Sequence, residues 1–89
     1  MPTKRHLVIV FRSRTEVYSF TEALNARGAS AYITATPLKA GVGCGVAVKT
    51  RANNFNAVLA EISSGSYAGF YGVFSVETRG VRSSVTRVV

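Results

Sequence analysis

Cys44 is the only cysteine of the 89-residue chain, and it lies between Gly43 and Gly45, just before a short apolar segment. Glycine lets the backbone approach a ligand closely and adopt conformations that other residues avoid. A thiol on such a turn is expected to be exposed, and surrounding backbone N–H groups would favour its thiolate. The sequence therefore predicts nucleophilic sulfur chemistry at Cys44, with Gly43 and Gly45 as the backbone that receives a negative charge.

Cations near Cys44 in sequence strengthen this prediction. Lys39 precedes the cysteine, and Lys49 and Arg51 come from the apolar segment that follows it. A neighbouring positive charge favours a thiolate over a thiol. A lone cysteine at the start of a strand is also a common small core residue, so a packing role for Cys44 stays open.

Other chemistry is poorly supported. His6 has no Cys, Asp or Glu at ligand spacing, so no metal site is predicted, and nothing in the sequence places it beside Cys44. Glu16 follows Ser13 at the spacing of a helix capping box, and the remaining glutamates are scattered. The glycine run before the strand lacks the Lys and Ser/Thr of a phosphate-binding loop. We therefore expect no cofactor and no catalytic turnover.

The net charge limits the classes of partner that the chain is expected to bind. Eleven Lys and Arg oppose four acidic residues, which gives a formal net charge of +7. Such a field attracts nucleic acid, acidic proteins or small anions. The longest apolar run, residues 7–11, is too short to cross a bilayer, and no secretory signal is recognisable. We expect a cytoplasmic protein that is not associated with a membrane.

Hydrophobic periodicity predicts the order β-α-β-β-α-β. Two interleaved strand-helix-strand units with right-handed crossovers give a ferredoxin-like α+β sandwich, in which two helices cover one face of a four-stranded antiparallel sheet. Residues 1–78 would form this single domain, and residues 79–89 a basic, flexible tail or at most a short edge strand. The strands are predicted at residues 6–12, 29–36, 45–50 and 70–77, and the helices at residues 14–27 and 54–62.

One face of such a sheet carries no helix. Tyr32 and Thr34 of the second strand and the aromatic side chains of residues 70–76 are expected on it. Aromatic faces of small sheets often pair, so the sequence predicts a homo-oligomer.

The residues around Cys44 form a motif that consists of Thr36, Pro37, Lys39, Cys44, Gly45 and Ala47. This motif resembles that of a known family, the putative selenium/sulfur carrier-like proteins. The resemblance covers roughly residues 6–76 and implies that Cys44 carries a persulfide or perselenide between a donor and an acceptor protein. Lys39, Gly43 and Gly45 would then be the groups around the carried atom.

Two other functions remain open. The chain could be a structural or assembly module that oligomerises through its open sheet face, with Cys44 in the packing. It could also bind nucleic acid through its positive charge. The aromatic spacing of residues 69–74 does not match an RNA-recognition motif, so sequence-specific RNA binding is not favoured.

Overall fold

Five strands and two α-helices make up residues 3–36 and 45–89, which are the residues that this computed structural model describes. A single 3₁₀ turn, Ala52–Asn54, leads into the second helix. In chain order the elements are β1 (Lys4–Phe11), α1 (Arg14–Ala26), β2 (Ala31–Ala35), β3 (Val46–Arg51), α2 (Phe55–Ser64), β4 (Phe70–Arg79) and β5 (Arg82–Arg87).

The strands form one antiparallel sheet in the order β2-β3-β1-β4-β5. The predicted α+β class, with two helices and an antiparallel sheet, is confirmed. The predicted number of four strands is wrong, because β5 adds a fifth strand beside β4. Residues 79–89 thus contain the edge strand that the sequence left open as the alternative to a flexible tail.

β5 forms because β4 is long and would otherwise expose an unpaired edge. Arg79 pairs with Arg82 across a tight turn in which Gly80 has a φ of +63°, a value that favours glycine. Val85 lies opposite Val76 and packs on it, so one apolar residue in a polar segment anchors the strand. Beyond β5, the Val88 N–H donates to the Val73 carbonyl at 2.8 Å.

Both helices pack on the same face of the sheet, which we call the helix-covered face. The helical spacing of Val17, Phe20 and Leu24 predicts the buried stripe of α1, and all three are buried. Gly28, with a φ of +83°, follows the end of this helix as predicted. The buried residues of this core are Leu7, Ile9, Phe11, Val17, Phe20, Leu24, Ala29, Ala31, Val48, Val58 and Val73.

The predicted capping box does not form. The Ser13 side chain makes no capping hydrogen bond. The Glu16 carboxylate instead accepts from the Gly69 N–H, at 3.0 and 3.1 Å, and so ties α1 to the segment that enters β4. A charged acceptor makes a strong hydrogen bond, and this long-range donor replaces the local one.

The opposite side of the sheet, the helix-free face, has its own apolar cluster. Strand alternation places the even-numbered residues of β1 on it, and pairing brings in their neighbours on the other strands. The buried members are Val8, Val10, Ala47, Phe74 and Val76, and Tyr71 and Val85 pack against them.

Candidate functional site

Gly45 is the one predicted site residue that the structure describes. Cys44, Lys39 and Gly43 lie outside the described residues. Gly45 is exposed and has a φ of +92°, and a side chain added to it would meet open space. That φ is strained for other residues, so glycine is required here by its backbone rather than by crowding.

Thr36 is held directly beside Gly45. Its N–H donates to the Gly45 carbonyl at 3.1 Å, just beyond the paired residues Ala35 and Val46. The Thr36 Oγ1 is buried. Among the buried side-chain polar atoms of residues 3–36 and 45–89, it is the one that lacks a hydrogen-bond partner. Leaving such a hydroxyl without a partner costs about 1–3 kcal/mol. Sequence reasoning used Thr36 only as part of a motif and missed this property.

Arg12 is the cation that the sheet brings toward Gly45. The pairs between β1 and β3 run from His6 opposite Arg51 to Ile9 opposite Val48, so the end of β1 and the start of β3 lie at the same end of the sheet. Arg12 directly follows β1, and its N–H donates to the Gly69 carbonyl at 2.8 Å. The sequence analysis missed Arg12 because it is far from Gly45 along the chain, and only strand pairing shows that the end of β1 and the start of β3 share one end of the sheet. We call Gly45, Thr36 and Arg12 the Gly45 edge.

Tyr71 connects Arg12 to the last strand. The Arg12 Cζ lies 5.9 Å from the centroid of the Tyr71 ring, and the Arg87 Cζ lies 4.8 Å from it. Arg87 also donates through Nη2 to the Tyr71 carbonyl at 2.7 Å and through Nε to the Val89 carbonyl at 2.9 Å. Cations over an aromatic face are stabilised by its quadrupole, so this cluster holds positive charge beside the Gly45 edge.

The structure places Lys49 and Arg51 away from Gly45. A strand rises about 3.3 Å per residue, so these residues lie about 13 and 20 Å along β3 from Gly45. Screening at physiological salt acts over about 8 Å, so neither charge reaches the Gly45 edge at useful strength. They belong to the opposite end of the sheet.

His6 also lies at that opposite end. It pairs with Arg51 on one side and Val76 on the other. Burial lowers the pKa of His6, and the positive charge of Lys49 lowers it further, so the ring is neutral at pH 7. His6 is therefore too distant from Gly45 to act as a base there.

A second cluster with perturbed pKa values joins the two helices. The Tyr67 hydroxyl donates to Glu61 Oε2 at 2.6 Å, and Arg27 Nε donates to Glu61 Oε1 at 2.9 Å. These bonds lower the pKa of Glu61, chiefly through the Tyr67 hydroxyl. Burial and the Glu61 carboxylate raise the pKa of Tyr67 to about 12. The Tyr67 ring packs against Phe11 and Phe20, so the cluster anchors the core and presents no free acid or base.

Two classes of site find no support in the described part of the chain. No three His, Cys, Asp or Glu side chains within residues 3–36 and 45–89 lie close enough together to bind a metal ion. Neither helix in these ranges is long and apolar enough to cross a membrane.

Comparison with known proteins gives one match. The family model described as "Putative Se/S carrier protein-like" matches residues 6–71, a stretch that contains Cys44 and the whole Gly45 edge. No curated protein and no solved structure matches the chain.

Proposed function

The chain belongs to the Putative Se/S carrier protein-like family, and from that premise we propose that it carries sulfur or selenium on Cys44. The family match carries this proposal, because it spans the only cysteine of the chain. The donor would be a protein that bears a persulfide or perselenide, and a second protein would accept the cargo. The chain would have no turnover of its own, and the cytoplasm would suit the reduced thiol that this role requires.

The transfer is a thiol–persulfide exchange. The Cys44 thiolate attacks the outer sulfur of the donor persulfide, a new S–S bond forms on Cys44, and the donor cysteine leaves as a thiolate. The total number of electrons and protons is unchanged, so no external oxidant or reductant is needed. Reversal on an acceptor thiolate delivers the sulfur, and a perselenide reacts in the same way with selenium as the transferred atom.

The Gly45 edge suits this chemistry. Gly45 is exposed, and its backbone is open to an approaching partner. Arg12 supplies positive charge, which favours a thiolate and a persulfide anion. The free hydroxyl of Thr36 would donate a hydrogen bond to the carried anion, and the proposal assigns Lys39 and Gly43 to the same role. With one cysteine in the chain, a persulfide cannot be lost as an internal disulfide.

The strand order supports a ferredoxin-like origin for the domain. β4, β1, β3 and β2 are neighbours in that order, as in a ferredoxin-like sheet, and each adjacent pair is antiparallel. β5 would then be an addition at the β4 edge.

Mass spectrometry of the intact protein tests the proposal. The wild-type protein and Cys44→Ser would be incubated with a cysteine desulfurase that generates a persulfide, together with its cysteine substrate. We expect the wild type to gain the mass of one sulfur atom, the adduct to disappear on reduction, and Cys44→Ser to gain nothing. An unmodified wild type, or an adduct of equal yield on Cys44→Ser, would contradict the carrier function.

A further inference from the structure

Charge is unevenly divided between the two faces of the sheet. All four acidic residues lie on the helix side: three belong to the helices, and Glu77 pairs in register with Arg5 and accepts its Nη2 at 2.7 Å. From Val73 onward the odd-numbered residues of β4 lie on the helix-covered face, so Glu77 points away from the helix-free face. The helix-free face therefore contains no acid.

Besides Arg87, which donates to the Tyr71 and Val89 carbonyls, three cations lie on the helix-free face. Lys4 pairs with Thr78, Lys49 with Val8, and Arg51 with His6. Within residues 3–36 and 45–89, none of these three cations forms an ion pair, although Arg5, Arg27 and Arg79 on the helix side do so. Unpaired cations without nearby acids produce a positive potential that attracts anions.

An exposed aromatic ring accompanies these charges. Tyr32 is 55% exposed and lies directly opposite Lys49. Neighbouring strands are about 4.8 Å apart, so one flexible ligand chain can contact the Tyr32 ring and the Lys49 ammonium group together. Lys49 lies opposite Val8 and Arg51 opposite His6, so the two cations flank β1 on this face. The cross-sheet row on this face is Tyr32, Lys49, Val8, Phe74 and Arg87.

Arg51 stands at the end of this face, between two open pockets. One is lined by Lys4, Arg5, His6 and Asn53, together with Arg51 and Ala52. The other is lined by Gly28, Ser30, Asn53 and Asn54, again with Arg51. Neither pocket has a carboxylate in its lining, and both offer hydrogen-bond donors around the guanidinium. This end of the sheet is suited to phosphate groups.

The apolar residues of the helix-free face are not available to a protein partner. Val8, Val10 and Ala47 are at most 1% exposed within the single chain. Protein interfaces depend on an apolar core with few charges, whereas this face exposes cations and a ring. A second copy of the chain would bring the same positive charge against it. A strand of nucleic acid combines repeated negative charge with stacking bases, which complements both features.

We propose that the helix-free face binds single-stranded nucleic acid without sequence preference, with phosphates on Lys4, Lys49 and Arg51 and a base stacked on Tyr32. This function goes beyond sulfur or selenium carriage. It uses the end of the sheet opposite Gly45 and does not involve Cys44.

Fluorescence anisotropy tests this function. The probes are fluorescein-labelled oligouridylate and oligothymidylate of about 12 nucleotides, within the range that single small domains occupy. Each cation in contact with a single strand contributes about 0.7 to the slope of log affinity against log salt, so the three cations predict a slope of about −2. The triple change Lys4→Gln, Lys49→Gln and Arg51→Gln should abolish most of this slope.

A matched triple change controls for net charge. The control variant carries Arg14→Gln, Arg79→Gln and Arg82→Gln, and so loses the same number of charges. Arg14 belongs to α1, and Arg79 and Arg82 pair with each other on the helix side of the β4–β5 hairpin. We expect it to weaken binding less and to leave the slope within about half a unit of the wild-type value. Equal loss of slope in the two variants would overturn the proposal, because the field of the whole protein would then explain the binding.

Tyr32 separates nucleic acid from other polyanions. Tyr32→Ser should weaken binding of the oligonucleotides by at least about fivefold through lost stacking, while Tyr18→Ser, which changes an exposed tyrosine on α1, should not. Polyglutamate has charge without bases, so it should bind more weakly and be insensitive to Tyr32→Ser. No binding of either oligonucleotide at low salt would overturn the proposal, as would polyglutamate binding as tightly as RNA, which would indicate an acidic protein partner. Circular dichroism of every variant verifies that it is folded.

Discussion

The two faces of the sheet use the same strands for different purposes. On the helix-covered face, alternate residues of β1 pack against α1 and α2, and the aromatic rings of Phe11, Phe20 and Tyr67 interlock with centroids 5.1–5.5 Å apart. On the helix-free face, the intervening residues of β1 are equally buried but have no helix over them. All four acidic side chains and their ion pairs belong to the first face, whereas the second face carries cations and no acidic side chain.

This contrast shows that the two faces bury apolar residues to a similar extent but differ in the charges that they carry. Stability depends on the face that the helices cover. The core there lies between rigid elements, which prevent it from relaxing to fill a cavity when a side chain is removed. The apolar residues of the other face are also buried within the single chain, although neither helix covers them. Removing side chains from each face should therefore have different consequences, and matched variants can measure them.

The largest expected difference concerns two valines of equal burial. Val73 faces the helices and Val10 lies on the helix-free face, and both are 0% exposed. Val73→Ala should lower the free energy of unfolding by about 2 kcal/mol, from two lost methyl groups and a cavity that cannot close. Val10→Ala should lower the free energy of unfolding by about 1 kcal/mol. The side chains around Val10 have no helix above them and can relax into the space that the lost methyl groups leave.

Urea denaturation measures both values, and a shared slope with denaturant would verify that the unfolded states are comparable. Equal losses for the two valines would break the comparison, since they would show that both cores are equally rigid.

A smaller effect concerns the pH dependence of stability. Tyr67, on the helix side, has a folded pKa of about 12, above its ordinary value of 10.0. A raised folded pKa stabilises the protein fully below the unfolded pKa, and that contribution is lost as pH rises from about 10 to about 12. Tyr67→Phe should therefore flatten the alkaline loss of stability, and Tyr32→Phe, on the helix-free face, should leave it unchanged.

The cluster of Tyr67 and Glu61 also makes stability depend on pH in the acidic range, where stability falls as the pH falls. The lowered pKa of Glu61 stabilises the fold above its unfolded value of 4.5, and this contribution is lost as pH falls through the folded pKa. Tyr67→Phe removes the hydrogen bond that contributes most to this shift, so it should also reduce the acid sensitivity. Midpoints of urea unfolding across pH measure both limbs, and an alkaline limb unchanged by Tyr67→Phe would exclude the cluster as its source.

The smallest effect on stability, about zero, is expected at Thr36. Its buried Oγ1 has no partner among the described residues, so Thr36→Val removes an unsatisfied group and should leave the free energy of unfolding unchanged or slightly raised. If the hydroxyl binds the carried anion, the same variant should lower the yield of Cys44 persulfide by about tenfold, the effect of one hydrogen bond to a charged group. Thr36→Ser keeps the hydroxyl and should restore the yield. Wild-type yield in Thr36→Val would remove Thr36 from the site without affecting the role of Cys44.

Oligomerisation through the helix-free face stays a prediction. The sequence suggested it from aromatic side chains, but the structure shows that Phe74 is only 7% exposed and that Tyr71 packs beside it. Cross-sheet neighbours of this kind seal each other within one chain, which sequence alternation alone does not reveal. Light scattering over a range of concentrations measures the state directly.

Local patterns in the sequence determined the two helices, the end of α1 at Gly28 and the first four strands, because the spacing of apolar residues reports each element's own buried side. The same reading isolated Cys44 and the glycine at 45 that needs a left-handed backbone. Only the tertiary structure decided that Glu16 bonds Gly69 instead of capping its own helix, since a distant N–H competed with the local one. Only strand pairing decided that β5 joins β4, that Arg12 lies at the same end of the sheet as Gly45, and that Lys49 and Arg51 lie toward the other end. Register and face depend on partners far away in the chain, and no local spacing encodes them.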